Sequence, residues 1–205
     1  MSTGFNAPFG LVPYEVDRGQ VLAHLYAVVT LNATAIFIGD MVHSTGIAYA
    51  CKKGSGLLGC GPGVATGASA NLGPVLACFD SNGDPYSAGM TSGAGYIPVT
   101  TTGDGTVAGY VLVCDDPQQK FLCQEGANGP FVAADMGLNA NLIATAGSAI
   151  SGLSQYNINF TGRAVTATLD VKLLQAYEFD TLGTLWCRFI VMNNNAELGS
   201  NTVGI

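Results

Sequence analysis

Histidine and paired carboxylates are the residue types in this sequence that could support acid–base chemistry. The chain has two histidines, His24 and His43, and both fall in segments with a strand-like pattern. A serine hydrolase needs a nucleophile, a histidine and an orienting carboxylate, and the G-x-S-x-G turn that presents such a nucleophile does not occur. Asp115 and Asp116 imitate the paired acids of a glycosidase, but adjacent residues rarely converge on one bond, and Pro117 favours a turn. The sequence therefore predicts no catalytic residue and a protein that is not an enzyme.

Three side chains near residue 80 imitate the start of a calcium loop. Asp80, Asn82 and Asp84 stand at alternate positions, as the first ligands of such a loop do. The sixth position is Pro85 rather than glycine, and the twelfth is Thr91 rather than a bidentate glutamate. The Asn-Gly pair inside this stretch is typical of a tight hairpin turn. We therefore expect a structural turn, with neither a metal nor a cofactor bound.

Cysteine spacing gives no metal signature either. The chain has six cysteines and no C-x-x-C pair, and its two C-x8-C spacings, Cys51/Cys60 and Cys114/Cys123, are too wide for a structural zinc knuckle. We expect buried free thiols, because a free cysteine behaves as a small hydrophobic residue and assembly in the cytoplasm is reducing. Disulfides that form late remain the alternative, and Cys114 could face Cys123 across a hairpin.

Low charge restricts the partners of the protein. Seven lysines and arginines oppose fourteen aspartates and glutamates, for a formal net charge of −7, and no basic cluster is denser than Lys52-Lys53. Binding to nucleic acid requires several cations on one face, so a nucleic-acid partner is not expected. Only 10% of the residues are charged. A surface covered by uncharged groups suits packing against other proteins.

Short segments of β-branched and alternating apolar residues predict an all-β fold. We expect an antiparallel barrel or sandwich-like body with long glycine-rich loops and little helix. The longest of these loops is predicted over Gly54–Ala70, which has no complete phosphate-binding motif. Val21–Thr34 also fits a helical face, but its β-branched residues favour strands. The other predicted strands cover residues 36–42, 74–79, 96–102, 110–114, 120–125, 156–160, 164–174 and 184–193.

The ends of the chain differ in composition from the body between them. Residues 1–20 are predicted to form an extended N-terminal arm that lies on its own body or reaches a neighbouring subunit. The β body spans 21–193, with two possible subdomains that meet near 145–155, and a polar tail, 194–205, is expected to need a partner for order. The N-terminus lacks the pattern of a secretory signal, and no apolar stretch is long enough to cross a bilayer. We therefore expect a soluble protein, made in the cytoplasm, with no membrane partner.

Apolar residues at both ends of the chain are candidates for contact with a partner. Thr184–Asn193 has apolar residues on both predicted faces, so one face is expected in the core and part of the other against another subunit. The aromatic and aliphatic residues of the arm need similar cover. The candidate contact residues are Phe5, Phe9, Leu11, Tyr14, Trp186, Ile190 and Met192.

Four phrases of the sequence resemble one group of proteins. They are YVLVCDDPQQKFLCQEG at 110–126, AADMGLNANLI at 133–143, NAPFGLVPYE at 6–15 and IFIGDMV at 36–42. The chain is similar in these phrases to the head decoration, or capsid cement, proteins of tailed bacteriophages. The last phrase looks like the first core strand of that group.

This resemblance implies a virion structural protein, made in the host bacterial cytoplasm, that coats the outer face of an icosahedral capsid. It also implies a major capsid protein as partner and a homotrimer at threefold positions, where the protein stabilises the head. No individual contact residue carries over. The alternative is a carbohydrate- or receptor-binding module on the virion surface, and a depolymerase is disfavoured because no acid–base pair is evident.

Overall fold

The computed structural model describes residues 5–15, 20–29, 33–51, 54–63, 70–86, 95–99, 107–126 and 129–198. Within these ranges nearly all regular structure is β, and the helical part is one short 3₁₀ turn, Ala133–Asp135. The predicted all-β fold is confirmed. The strands are β1 (Val12–Pro13), β2 (His24–Val29), β3 (Met41–Cys51), β4 (Gly54–Pro62), β5 (Gly73–Asp80), β6 (Val107–Val113), β7 (Lys120–Gln124), β8 (Asn139–Ala140), β9 (Leu142–Ile143), β10 (Asn157–Ile158), β11 (Val171–Ala176) and β12 (Arg188–Asn193).

The first half of the chain forms a closed five-stranded barrel. Its strands follow the order β2-β4-β3-β5-β6, and β6 returns to pair with β2. All neighbouring strands are antiparallel except β2 and β4, which are parallel. Val28, Val75 and Val111 are completely buried inside it. These β-branched side chains suit a pleated and closed surface, which explains why the segments form strands.

The second half forms an antiparallel sheet of five strands in the order β1-β7-β12-β11-β8. One face of this sheet buries Phe121, Phe189 and Leu173 against Phe131 and against the two-stranded ribbon of β9 and β10. Phe121 and Cys123, two positions apart in the strand predicted over 120–125, are both completely buried on this face. These residues make the second core of the chain.

Apart from Leu11 and Met41, which belong to the second core, the clustered buried residues up to Val113 form the barrel core and those from Cys114 onward form the second core. Residues 145–155, where two subdomains were expected to meet, lie between β9 and β10 of the second half. The chain leaves the barrel at Val113 and enters the five-stranded sheet at Lys120, so β6 and β7 belong to different sheets. The predicted hairpin that would bring Cys114 opposite Cys123 therefore does not form.

The long loop predicted over Gly54–Ala70 is also wrong for its first part. Gly54–Pro62 is strand β4 of the barrel, while residues 64–69 lie outside the described ranges. Directly after this strand two backbones pack closely: a Cβ at Gly63 would lie 2.5 Å from the carbonyl oxygen of Met41. Glycine is needed here for a close approach of two backbones and does not mark a loop.

Several predicted strands are shorter in the structure. Residues 164–170 form turns, and β11 begins only at Val171, with Val165 51% exposed. The buried carboxylate of Asp170 accepts hydrogen bonds from the backbone of Leu142 and the side chain of Asn71, which holds this segment in turns. Residues 184–187 likewise precede β12, and 36–42 is broken by a turn at Gly39. Of the strand predicted over 96–102, residues 100–102 lie outside the described ranges.

The described part of the N-terminal arm lies on its own body. β1 pairs with β7, and the backbone N–H of Leu11 donates to the carbonyl of Gly39 at 3.0 Å. Gly10 has a φ of +74°, and a Cβ there would lie 2.5 Å from that same carbonyl oxygen. Only glycine adopts this conformation in such a confined space without strain. Residues 5–15 are thus a strap across the second half of the chain.

The beginning of the C-terminal tail is also held by the chain itself. The carbonyl of Asn195 accepts a hydrogen bond from the backbone of Asn71 at 2.7 Å, and Glu197 Oε1 accepts one from the backbone of Ser44 at 2.8 Å. Asn194 and Ala196 are buried. The expectation that the tail needs a partner for order is therefore corrected for residues 194–197, and residues 199–205 lie outside the described ranges.

Candidate functional site

The five-stranded sheet turns an apolar surface away from its core. Side chains alternate along β7 and β12, so the neighbours of the buried Phe121 and Phe189 point to the opposite side. There, Val12, Leu122 and Ile190 lie side by side across three strands. Met192 lies in the next row, between Lys120 and Lys172. We call this side of the sheet the outer face.

An aromatic cluster crosses the outer face, because the Tyr14 backbone donates to the carbonyl of Lys120 at one end of the sheet and the Tyr177 backbone donates to the carbonyl of Arg188 at the other. Tyr177 contacts Tyr14 and Phe179 in edge-on geometry, with ring centroids 5.8 and 5.4 Å apart. The guanidinium carbon of Arg188 lies 4.3 Å from the centroid of the Tyr177 ring. Phe179 is 69% exposed. Tyrosine, phenylalanine and arginine are the residue types enriched at protein interfaces.

A carboxylate fixes the arginine of this cluster. Asp180 accepts hydrogen bonds from Nε and Nη2 of Arg188 at 2.9 and 2.8 Å, and from the Arg188 backbone at 2.7 Å. These bonds lower the pKa of the Asp180 carboxyl and raise the pKa of Arg188. The pair is therefore ionised but mutually neutralised. The cluster presents flat rings and a held guanidinium, rather than a mobile charge.

The structure separates the seven candidate contact residues into three groups. Phe5 is 80% exposed, and Phe9, Tyr14, Trp186 and Met192 are half-buried.

Leu11 and Ile190 are each 1% exposed within the chain itself, so neither leaves surface for a direct contact. Leu11 is part of the second core, because the strap inserts it beneath the sheet. Ile190 keeps its place on the outer face, but neighbouring groups cover it.

Sequence reasoning missed Tyr177, Phe179 and the Arg188–Asp180 pair. The signal was present in the Tyr-x-Phe spacing at 177–179, directly after the clean alternation of β11. This spacing alone does not predict an aromatic cluster. The cluster also needs Tyr14, which lies 163 positions earlier in the sequence and contacts the Tyr177 ring.

A histidine and an acid that were considered separately meet at the barrel. Nδ1 of His24 lies 2.9 and 2.8 Å from the two carboxylate oxygens of Asp115, and the Tyr26 hydroxyl donates to the same carboxylate at 2.7 Å. The Asp115 side chain is 3% exposed, whereas that of His24 is 71% exposed. Burial and Asp115 raise the pKa of Tyr26. The tyrosine therefore stays protonated and keeps donating.

This cluster contains the orienting half of a catalytic triad without a nucleophile. A shallow depression of about 330 Å³ lies beside His24, and its other walls include Leu22, Pro117, Gln118 and Leu198. None of the lining residues is serine, threonine or cysteine. Asp116 accepts a hydrogen bond from the backbone of Gln118 and so closes the predicted turn. The geometry suits a clamp between β2 and the exit of the barrel.

A second, more polar groove lies beside Trp186. It has a volume of about 400 Å³ and is lined by uncharged residues, among them Asn6, Thr145, Gln155 and Asn157. Trp186 has a φ of 68°, which is unusual for a residue other than glycine. Its carbonyl accepts a hydrogen bond from Gln124 Nε2 at 3.0 Å. The tryptophan thus lies in the turn before β12. The prediction that placed it in a strand is wrong.

Two carboxyls and five of the cysteines are buried for structural reasons. Burial raises the pKa of Asp40 and of Glu125 to about 7. Burial also raises the pKa of Cys78, Cys114 and Cys123 to about 12, so these thiols are unreactive. Cys60 and Cys187 are likewise free and buried, in agreement with the prediction of buried thiols.

Metal ligands do not gather in the described part of the chain. No group of three histidine, cysteine, aspartate or glutamate side chains there could hold a metal ion. Asp80 Oδ1 instead accepts hydrogen bonds from the backbones of Asn82 and Asp84 at 2.8 and 2.9 Å. These bonds lower the pKa of Asp80 and close the turn after β5. The predicted structural turn is confirmed.

Comparisons with protein-family models, with curated proteins and with solved structures found no match to this chain. None of the described residues belongs to a helix with the length and apolar character that crossing a membrane requires. Function therefore has to be inferred from the chemistry of the surfaces described above.

Proposed function

We propose that this protein is a capsid decoration, or cement, protein of a bacteriophage head. In this proposal it binds the outer surface of the icosahedral shell, bridges adjacent subunits of the major capsid protein and stabilises the head, as a homotrimer. The resemblance of the sequence phrases supports the choice of partner. The outer face of the five-stranded sheet supports the mode of action.

The composition of the outer face is the observation that carries the proposal. The solvated side of an antiparallel sheet normally carries polar residues that alternate with the core residues. Here that side has Val12, 44% exposed, beside Leu122, and Met192 between Lys120 and Lys172, and the aromatic cluster lies across it. Apolar surface of this kind gains about 25 cal/mol for each Å² removed from water. Contact with another subunit would bury it.

Low charge and repetition are consistent with a cementing role. The net charge of −7 disfavours the genome side of a shell, where phosphates would repel the protein. A lattice presents the same site many times, and linked contacts that are individually weak then add to a strong attachment. No single deep site is needed for this function.

The test is made on particles. Phage heads that lack this protein are expected to rupture at a lower temperature and after a milder osmotic shock than complete heads, and adding the purified protein should restore both resistances. Equal resistance of complete and depleted heads would contradict a cementing role. The copy number per particle provides an independent measurement: a number comparable with that of the major capsid protein is expected, whereas a handful of copies indicates a tail or fibre component.

A second candidate function is a virion-surface module that binds a carbohydrate or a receptor. One observation favours it. The sequence predicted that Trp186 lies inside a strand, where it would be a poor contact for a ligand. In the structure it lies in a turn at the border of a polar groove. The two functions are compatible, because Val12, Tyr177 and Phe179 do not line this groove.

A further inference from the structure

We propose that the groove beside Trp186 is a binding site for an uncharged saccharide. This inference rests on the second candidate function and does not require attachment to a capsid. A sugar ring offers hydroxyl groups around its rim and a patch of C–H groups on its face. A site for it needs amide or hydroxyl side chains together with an aromatic surface, and the groove provides both.

Five separate segments of the chain build the groove, one of them Gly126 after β7. Asn6 comes from the N-terminal strap, Thr145 follows β9, and Gln155 and Asn157 come from the approach to β10 and from its first residue. Trp186 completes it from the turn before β12. A groove that is assembled in this way exists only in the folded chain, and its volume of about 400 Å³ falls within the range of ligand sites.

The lining is uncharged, which decides the class of ligand. Among the described residues that line the groove, none is aspartate, glutamate, lysine, arginine or histidine. Glu125 lies next to the lining residue Gly126 in the sequence, but its side chain is fully buried and its Oε2 accepts from the backbone of Phe131. Amide groups both donate and accept, as hydroxyls do. An anionic or cationic ligand would find no counter-charge here.

The position of the tryptophan is fixed before a ligand arrives. Its left-handed backbone conformation is held through the carbonyl bond to Gln124, and the same Gln124 side chain donates to the carbonyl of Phe5 at 2.7 Å and accepts from the backbone of Ala7 at 3.0 Å. One glutamine thus joins the strap residues that flank Asn6 to the tryptophan turn. Residues held in rare backbone conformations cluster at ligand sites, because the surrounding structure overdetermines them.

Gly126 keeps the floor of the groove open. A Cβ at this position would lie 2.8 Å from Oδ1 of Asn157 and 3.2 Å from Cδ1 of Ile143. Any side chain would therefore displace groove residues. Gly162 offers a matched control, because a Cβ there would meet only Nδ2 of Asn141, at 3.9 Å, and Gly162 does not line the groove.

The test uses the fluorescence of Trp186, which is the single tryptophan of the chain and so reports on this groove alone. The full-length protein is titrated with neutral hexose and N-acetylhexosamine oligosaccharides, and with sialylated and sulfated ones. We expect a saturable change of emission with at least one neutral oligosaccharide. Gly126→Ala should weaken binding about tenfold or more, whereas Gly162→Ala should bind as the unchanged protein does.

Asn6→Ala, a change at an exposed residue of the strap, keeps the test decisive if Gly126→Ala does not fold. It should also weaken binding, with an unchanged melting temperature. The inference is overturned if no neutral saccharide changes the emission, if only anionic saccharides bind, or if a folded Gly126→Ala or Asn6→Ala protein binds with full affinity. Attachment to depleted heads is measured with the same variants. If the protein attaches to heads but binds no saccharide, the saccharide site is refuted and the cementing role stands. If it binds a saccharide but does not attach to heads, the cementing role is refuted and the saccharide site stands.

Discussion

The guanidinium carbon of Arg188 lies 4.3 Å from the centroid of the Tyr177 ring, while Asp180 holds the same guanidinium through two hydrogen bonds. The guanidinium thus stacks on the Tyr177 ring, and the Asp180 carboxylate neutralises its charge. This arrangement converts a charged side chain into part of a flat, largely apolar surface. In the proposed function, a partner could cover the aromatic cluster without desolvating an unpaired charge.

Attachment to heads should depend on this cluster. Phe179→Glu places an unpaired carboxylate at a position that is 69% exposed, so folding should be unaffected and binding to depleted heads should fall by about tenfold or more. Cosedimentation of the purified variant with heads measures the effect. Ile150→Glu is the matched control, because Ile150 is 93% exposed but belongs to a turn outside the outer face. Equal loss in both variants would mean that added charge, and not the cluster, weakens binding.

The Arg188–Asp180 pair should stabilise the fold in a pH-dependent manner. The pKa of Asp180 is lowered in the folded state, so its contribution is complete above the ordinary aspartate range and is lost as the pH falls through the folded pKa. Asp180→Asn should reduce the free energy of unfolding at pH 7 by about 1 to 2 kcal/mol, a value limited by the partial exposure of Arg188 to solvent. Urea unfolding between pH 3 and pH 7 should show a flatter profile for the variant. A profile parallel to that of the unchanged protein would contradict this role.

Asp40 and Glu125 should change the stability with pH in the opposite direction. The pKa of each is raised to about 7, so the folded protein holds a proton on each group that the unfolded chain has already released above its ordinary carboxyl range. Their contribution to stability is therefore complete at acidic pH and is lost as the pH rises through 7, by at most about 1.4 kcal/mol per pH unit for each group. Glu125→Gln should remove part of this slope between pH 5 and pH 7 in urea unfolding. An unchanged slope would show that Glu125 is already ionised over this range.

The cluster at the barrel exit should stabilise the fold through Tyr26 more than through His24. Tyr26→Phe removes a buried hydrogen bond of 2.7 Å to the Asp115 carboxylate and should cost about 1 to 3 kcal/mol of stability. His24→Asn should cost much less, because the histidine side chain is 71% exposed. Thermal unfolding of the two variants checks the order. A larger loss in His24→Asn would indicate that the histidine has a role of its own.

Thiol labelling should distinguish the native protein from the denatured protein at five cysteines. Cys60, Cys78, Cys114, Cys123 and Cys187 are buried and free, so they should not react with a thiol reagent in the native protein at neutral pH. Mass spectrometry should therefore find native labelling at Cys51 at most, and labelling of all six cysteines after denaturation. Rapid native labelling of Cys114 would contradict its burial. An unlabelled pair after denaturation without reductant would reveal a disulfide.

Local sequence patterns predicted the strands that have one face buried in a core. The alternation in Lys120–Gln124 matches the burial of Phe121 and Cys123, because a strand with one face in a core shows a period of two. The same reasoning failed for 164–170, where hydrogen bonds from distant residues to Asp170 override the alternation. It also failed for β4, because glycines that permit close packing look the same in a sequence as glycines of a loop.

The site residues that sequence reasoning missed depend on contacts between distant segments. His24 and Asp115 are 91 positions apart, and the parallel pairing of β2 with β4 that closes the barrel leaves no local pattern. Trp186 was placed in a strand, since apolar residues continue before Arg188 without a visible break. Its φ of 68° is set by the packing around it and not by its own residue type.

The five-stranded sheet ends at both sides in strands of only two residues, β1 and β8. Such short edge strands expose very little unpaired backbone, so another chain cannot readily extend the sheet by adding a strand. In the proposed function, in which many copies crowd one shell, these edges would disfavour growth into fibres by strand addition.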